Sequence, residues 1–265
     1  MDLYLGTGGY SNDDWLGLLY PPGTKSGDYL GVYAQHFNAV ELNSSFYAIP
    51  GIKAFAGMLK KSAARVRFAV KLHQSMTHSR DADGELYTRL FESVEPLREA
   101  GMLGPFLAQF PYSFHRTPEN RLYLKDLVER FRGAGEALAL EFRNAAWHIP
   151  EVTEALEAQS LTFVSVDYPQ VSGMPAPELV VTSRVAYLRL HGRNSEAWYG
   201  GKDQSERHDY LYSADELRPF VQDLASRQED LEESWIIFLN TTKGHALKNI
   251  AMVRELLAEH DLAEA

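Results

Sequence analysis

The stretch Leu138-Ala139-Leu140-Glu141-Phe142-Arg143 decides the fold class, because an apolar run of strand length ends here in two charged residues that stand two positions apart. Side chains at positions i and i+2 of a strand share one face of the sheet, so Glu141 and Arg143 point one way and Phe142 points the other. Charged side chains that close an apolar strand indicate a polar site at that end of the sheet.

Four other apolar runs end in the same manner. Their closing pairs are Glu41 and Asn43, Lys71 and His73, Ser165 and Asp167, and Arg189 and His191. One such pair is typical of an edge strand with one wet face, whereas five of them predict a single polar site where the strands of one sheet end. The pattern indicates a functional site and does not identify a reaction.

Short apolar runs alternate with helical patterns along the whole chain. The predicted strands cover residues 3–8, 38–43, 67–73, 104–110, 137–143, 162–168, 186–192 and 234–240. The predicted helices cover residues 25–36, 51–62, 84–100, 118–131, 150–159, 213–229 and 244–260, with no full helix in 169–185. Strands that alternate with helices over 265 residues predict an α/β fold, a single TIM-like (β/α)8 barrel domain spanning residues 1–265. An open doubly wound sheet is the competing arrangement.

The parity of the strands favours the barrel over the open sheet. One face carries large residues that we expect to pack against outer helices, such as Val70, Leu140 and Leu188. The other face, which ends in the polar pairs, is expected inside the barrel and carries Ala69, Ala139, Phe163 and Tyr187. Barrel enzymes place their sites at the C-terminal ends of the strands, and we expect the polar pairs there.

The composition excludes several kinds of site. The chain has no cysteine, which excludes disulfides, iron–sulfur clusters, thiolate zinc sites and a cysteine nucleophile. A formal net charge of −10 favours a cytoplasmic protein and disfavours nucleic acid as a partner, although a local basic patch is compatible with that charge. No apolar run is long enough to span a bilayer and no signal-peptide pattern is present, so we expect no membrane partner.

Ionisable residues at the predicted strand ends are the candidates for catalysis. Glu41 and Glu141 are paired carboxylates suited to acid and base roles, as in glycosidases, and the further candidates are His73, His191 and Asp167. The expected substrate-binding residues are Tyr10, Asn43, Lys71, Gln109, Arg143, Trp147, Arg189 and Asn240. The competing structural interpretation is a salt-bridged plug that closes the barrel, since buried charges are tolerated chiefly when they are paired.

Three cations in this set, Lys71, Arg143 and Arg189, favour a small anionic ligand, because arginine binds phosphate or carboxylate through two parallel hydrogen bonds. The same cations would repel a metal ion. We therefore predict no cofactor and no metal site, although the carboxylates and histidines have the ligand chemistry for a divalent metal. A lowered pKa would let Lys71 form a Schiff base, but with acids close by we expect it to stay charged and paired.

Sequence motifs along essentially the whole chain resemble the DUF72 (YecE-like) family. The matching stretches include Gly6-Thr7-Gly8-Gly9-Tyr10, Val40-Glu41-Leu42-Asn43-Ser44-Ser45-Phe46-Tyr47, Phe68-Ala69-Val70-Lys71, Thr77-His78, Gln109-Phe110-Pro111, Glu141-Phe142-Arg143 and Tyr187-Leu188-Arg189-Leu190-His191-Gly192. The resemblance implies a TIM-like barrel and supplies no reaction. Gly8 stands where the family usually carries serine, so that hydroxyl is not essential to this protein.

Our leading hypothesis is an enzyme that acts on a small anionic, phosphate-type substrate at the C-terminal face of the barrel, such as a phosphoester hydrolase. One alternative is a metal-dependent phosphodiesterase or nuclease of the endonuclease IV-like type, which needs three or more of the carboxylates and histidines on a metal. The other alternative is a barrel that binds an anion or another ligand without catalysis. The sequence gives neither the substrate nor the oligomeric state.

Overall fold

Eight parallel strands form a closed barrel in the structure, a computed structural model that describes residues 1–200 and 204–265. In chain order the strands are β1 (Asp2–Thr7), β2 (Ala39–Leu42), β3 (Arg67–Lys71), β4 (Leu103–Phe110), β5 (Leu138–Phe142), β6 (Thr162–Asp167), β7 (Val185–Leu190) and β8 (Glu233–Phe238). Each strand pairs with its neighbours in sequence, and β8 pairs with β1 to close the barrel. The predicted TIM-like (β/α)8 fold is confirmed.

Helices connect the successive strands except β6 and β7, whose connection over residues 168–184 contains no helix, as predicted for 169–185. Those in the described residues are α1 (Tyr29–Tyr33), α2 (Ile52–Ser62), α3 (Gln74–Thr77), α4 (Gly84–Ser93), α5 (Glu95–Glu99), α6 (Pro118–Ala134), α7 (Pro150–Glu157), α8 (Ser195–Gly200), α9 (Gln204–Arg207), α10 (Ala214–Ser226) and α11 (His245–Ala258). The helix predicted over 84–100 is divided at Val94 into α4 and α5, because Pro96 has no amide hydrogen with which to continue α4. In the described part of the chain, no helix has both the length and the apolar character needed to cross a membrane.

Local sequence signals explain where two of the longer helices begin. The side chain of Thr117 accepts a hydrogen bond from the backbone N–H of Asn120, and Pro118 occupies the first turn of α6, where its missing N–H costs nothing. Ser213 and Glu216 form a reciprocal capping box at the start of α10, in which each side chain satisfies a free backbone N–H.

An ion pair and two aromatic rings close the N-terminal end of the barrel interior. Arg67 Nη1 lies 2.6 Å from Glu233 Oε1. The Arg67 guanidinium also lies 4.7 Å from the ring centroid of Tyr4 and 5.5 Å from that of Trp235. Side chains therefore fill this end of the interior.

Side chains of contrasting size fill the middle of the barrel. Ala69 and Ala139 on the inner face are fully buried and leave space for the ring of Tyr187, as the strand parity predicted. The large residues Val70 and Leu140 pack in the outer layer against the helices, also as predicted.

Strand β6 presents to the interior the opposite face from the one predicted. Val164 and Val166 lie inside the barrel, whereas Phe163 packs in the outer layer. The hydroxyl of Ser165 also faces outward and accepts a hydrogen bond from the backbone N–H of Val180 at 2.8 Å. The prediction was wrong because β6 carries apolar residues on both faces, so hydrophobicity does not set which face is buried.

Candidate active site

A pocket of about 500 Å³ opens at the C-terminal ends of the strands. Six of the residues proposed from the sequence line it: Asn43, Lys71, Gln109, Arg143, Arg189 and His191. Glu41 and Glu141 are fully buried and bind Arg189 from beneath the pocket. The barrel thus brings together the charged residues that close β2, β3, β5 and β7.

Arg189 is the centre of the ion-pair network under the pocket. Its Nε donates to Glu41 Oε2 at 2.9 Å and its Nη2 donates to Glu41 Oε1 at 2.7 Å, which is the bidentate geometry of a strong pair. Its Nη1 donates to Glu141 Oε2. Burial acts to lower the pKa of Arg189, but Glu141 and Glu41 raise it well above its ordinary value. With 1% of its surface exposed, Arg189 is fully engaged with the two carboxylates.

The carboxylates are saturated by further donors. Glu41 also accepts hydrogen bonds from the Tyr187 hydroxyl at 2.9 Å and from Asn43 Nδ2 at 3.0 Å. Glu141 accepts a hydrogen bond from the Tyr168 hydroxyl at 2.6 Å. Burial is the largest single effect and acts to raise the pKa of Glu141, but the charges of Arg189, Arg143 and Lys71 and the Tyr168 hydrogen bond together outweigh it and hold that pKa below its usual value.

Lys71 faces the pocket without a carboxylate partner. It projects from the end of β3 and forms no ion pair with any residue that the structure describes. Its Nζ lies 4.6 Å from the ring centroid of Phe46. Burial lowers the pKa of Lys71 to about 8, and the positive charges of Arg189 and Arg143 act in the same direction.

Arg143 is a second cation on the pocket wall. Its Nε donates to the Tyr168 hydroxyl at 3.2 Å and lies 3.8 Å from Glu141 Oε1, so its pairing with the acid is loose. About a third of its side chain is exposed. Arg143 lines the pocket, and its two Nη groups make no hydrogen bond to the described residues.

Two histidines on the pocket wall are held in the neutral form. Burial lowers the pKa of His191 well below its ordinary value, and the charge of Arg189 adds to this effect. Burial, followed by the charge of Lys71, lowers the pKa of His78 to about 4. His191 Nδ1 is buried without a hydrogen-bond partner in the described part of the chain. Both rings therefore stay neutral near neutral pH, chiefly because they are buried, and the nearby cations act in the same direction.

Asp167 and Asn240 lie at the same end of the barrel but outside the pocket. Arg193 Nε donates to both carboxylate oxygens of Asp167, at 2.9 and 3.1 Å. The Asn240 amide donates to the Tyr210 carbonyl at 2.8 Å and to Asn249 Oδ1 at 2.9 Å. Both side chains form hydrogen bonds with residues outside the pocket, so the structure does not bring them into the candidate site.

Three other residues proposed from the sequence also lie away from the pocket. The Trp147 indole donates to the Phe114 carbonyl at 2.6 Å and is buried between helix and barrel. His73 caps the N-terminus of α3 instead of continuing the strand. The carbonyl of Tyr10 accepts a hydrogen bond from the Tyr20 hydroxyl, and its ring packs against the outer hydrophobic layer.

The pocket also contains residues that were not proposed as site residues from the sequence. Phe46, His78 and His208 line it, and Tyr168 and Tyr187 orient the carboxylates beneath it. His78 had a signal, because it follows the third strand within a family motif. His208 had none, since it lies between α9 and α10, and its Nδ1 bonds the carbonyl of His191 at 2.8 Å.

A divalent-metal site needs several converging ligands. No group of three or more histidine, aspartate or glutamate side chains suited to a metal ion occurs within residues 1–200 and 204–265. Glu41 and Glu141 beneath the pocket already bind Arg189. Asp13 and Asp14 line the pocket, and they accept hydrogen bonds from the Tyr29 hydroxyl and from the backbone N–H of Lys243, respectively. The residues present therefore do not form the ligand set that the metal-dependent alternative requires.

Comparison with known proteins places the chain in a family. The family model described as "Protein of unknown function DUF72" matches residues 4–264. The chain belongs to the DUF72 family. It is 31% identical over 275 residues to the UPF0759 protein YunF of Bacillus subtilis (strain 168), covering 96% of this chain and 94% of that relative. The predicted family is thereby confirmed.

Solved structures of DUF72 proteins share the fold. A DUF72 family protein (TM1631) from Thermotoga maritima MSB8 has a TM-score of 0.86 and 35% identity, covering 97% of this chain and 100% of that chain. A DUF72 family protein (EF0366) from Enterococcus faecalis V583 has a TM-score of 0.85 and 25% identity, covering 99% of this chain and 97% of that chain. These similarities establish family and fold, and they assign no reaction.

Proposed function

We propose that this DUF72 protein is an enzyme that acts on a small, phosphate-type anionic substrate bound between Lys71 and Arg143. The observation that carries the proposal is how the charges are paired. Both carboxylates beneath the pocket are taken up by Arg189, Tyr187, Asn43 and Tyr168, while Lys71 and the Nη groups of Arg143 face the pocket without acidic partners. Two cations in a partly enclosed site favour an anion that the rest of the molecule, with its charge of −10, would repel.

The roles in this proposal differ from those expected for the acids. Glu41 and Glu141 hold Arg189 and shape the pocket floor, because their oxygens already accept several hydrogen bonds. Proton transfer then belongs to His191 and His78, which are neutral and line the pocket. A bound anion next to neutral imidazoles is a reasonable site for general-base chemistry beside a phosphate group.

Calorimetric titration with inorganic phosphate tests the anion site. Phosphate should bind the native protein, and Arg143→Met should weaken binding by about tenfold, since a hydrogen bond to a charged group contributes about 1.5–3 kcal/mol. Arg193→Met is the matched control. It removes the same charge at the same end of the barrel, but Arg193 is paired with Asp167 and Glu216.

The control variant should bind phosphate as tightly as the native protein. Equal affinity in all three proteins, or no binding at all, would mean that no anion site lies between Lys71 and Arg143. Phosphate binding without turnover of any phosphoester would leave the non-catalytic alternative as the better account of the site.

A further inference from the structure

The environment of Lys71 suits a lysine that acts as a nucleophile as well as one that binds an anion. Its side chain is partly buried at the end of β3, with the Phe46 ring against Nζ and no acid paired with it in the described residues. A lysine locked to a carboxylate remains protonated and inert, whereas an unpaired lysine beside other cations loses its proton more readily. The acids that would have kept Lys71 protonated are bound to Arg189 instead.

We propose that Lys71 forms a Schiff base with an aldehyde or ketone that carries a phosphate or carboxylate group, the anionic group being held by Arg143. This inference rests on the proposed anion site and names the chemistry of its substrate. Lys71, which supplies the amine, and Arg143, which would hold the anionic group, both line the pocket, so one small molecule can contact both. A barrel interior that is closed at its N-terminal end by Arg67 and Glu233 keeps the amine in a confined space.

The chemistry balances with groups that the pocket contains. The neutral Lys71 amine forms a bond to the carbonyl carbon, and one proton passes from the nitrogen to the carbonyl oxygen to give a carbinolamine. A second proton, taken up from solvent, protonates that hydroxyl, the carbon–oxygen bond breaks to release water, and the nitrogen lone pair forms the carbon–nitrogen double bond of a protonated Schiff base. We assign the relay of these protons to His78, which lines the same pocket as Lys71 and packs on the same Phe46 ring, with 4.7 Å between ring centroids. The Nδ1 of His78 is shared with Thr77 Oγ1, which leaves Nε2 for this exchange.

Reductive trapping tests the inference on the native protein. Glycolaldehyde phosphate with sodium cyanoborohydride should give one secondary-amine adduct, assigned to Lys71 by peptide mass mapping. Uncharged glycolaldehyde should require about tenfold more reagent, because it lacks the contact with Arg143. Inorganic phosphate should protect Lys71 from the phosphorylated aldehyde.

Two variants separate the amine from its charge. Lys71→Arg keeps a cation and should still bind phosphate in the calorimeter, yet should form no adduct in the pocket. Lys243→Arg is the control, since Lys243 is an exposed lysine paired with Asp209. The Lys243→Arg protein should form the adduct at Lys71 as the native protein does.

The outcomes distinguish this inference from the proposed function. Phosphate binding with Lys71 labelled no faster than surface lysines overturns the Schiff base and leaves the anion site intact. Selective labelling of Lys71 by both aldehydes alike, without protection by phosphate, supports the nucleophilic amine and contradicts the anion site.

Discussion

Arg189→Met is expected to destabilise the fold by about 3–5 kcal/mol at neutral pH, because it leaves two buried carboxylates without their common cation. Glu41 and Glu141 are both fully buried and bind the same guanidinium. Chemical denaturation of the variant and the native protein measures the loss. Arg184→Met is the matched control, since Arg184 forms an exposed pair with Glu232 that should contribute about 1 kcal/mol or less.

The pH dependence of the same variant has a defined sign. In the native protein the pKa of Glu141 is below its unfolded value, so its stabilising contribution is present above the unfolded pKa and is lost as pH falls through the folded one. In Arg189→Met the facing carboxylates should have raised pKa values, so the folded state binds a proton that the unfolded state does not. The free energy of unfolding of the variant should therefore rise as the pH falls from about 7 to about 5.

Amide replacements provide the rescue for this prediction. Adding Glu41→Gln and Glu141→Gln to Arg189→Met removes both charges and should recover most of the lost free energy of unfolding. A loss in Arg189→Met no greater than that of Arg184→Met would mean that the carboxylates are not ionised in the folded protein, which contradicts the charge assignment under the pocket.

Gly6→Ala is expected to cost about 3 kcal/mol or more, through a clash with the backbone of the neighbouring strand. A Cβ at this position would lie 2.0 Å from the carbonyl oxygen of Ala39 and 2.6 Å from its carbonyl carbon. Ala39 is the residue of β2 that pairs with Gly6. The Tyr33 hydroxyl joins the same two strands, accepting from Thr7 N at 3.0 Å and donating to the Ala39 carbonyl at 2.8 Å.

Gly57→Ala is the control for this substitution. Its Cβ would meet nothing within 4 Å, and alanine in the interior of α2 should raise the stability by about 0.5–1 kcal/mol. Urea denaturation of both variants gives the comparison. Similar stabilities for the two would mean that β1 and β2 are farther apart at Gly6 than the structure places them.

The barrel itself could be predicted from the sequence because the polar pairs mark the C-terminal ends of the strands that carry them and indicate which strand face lies inside. The rule worked where the second residue of the pair directly follows the strand, as Arg143 follows β5. It failed at His73, because β3 ends at Lys71 and the chain turns into α3. It failed at Asp167 because both faces of β6 are apolar, so alternation there carries no information about which side is inside.

The pairing of the charges lay beyond the sequence for a physical reason. The strand ends carry similar numbers of acids and cations, and their order along the chain does not state which cation each acid binds. Arg189 reaches Glu41 and Glu141 across 148 and 48 residues, respectively. That choice of partners leaves Lys71 unpaired, and the expectation that it would be neutralised by nearby acids was wrong.

A crystal structure of the native protein grown with phosphate tests the central account most directly. We expect a phosphate ion whose oxygens accept hydrogen bonds from Lys71 Nζ and an Arg143 Nη group, with Arg189 still bound to Glu41 and Glu141. An ammonium of Lys71 paired with either glutamate, in a pocket that holds no anion between Lys71 and Arg143, would contradict it.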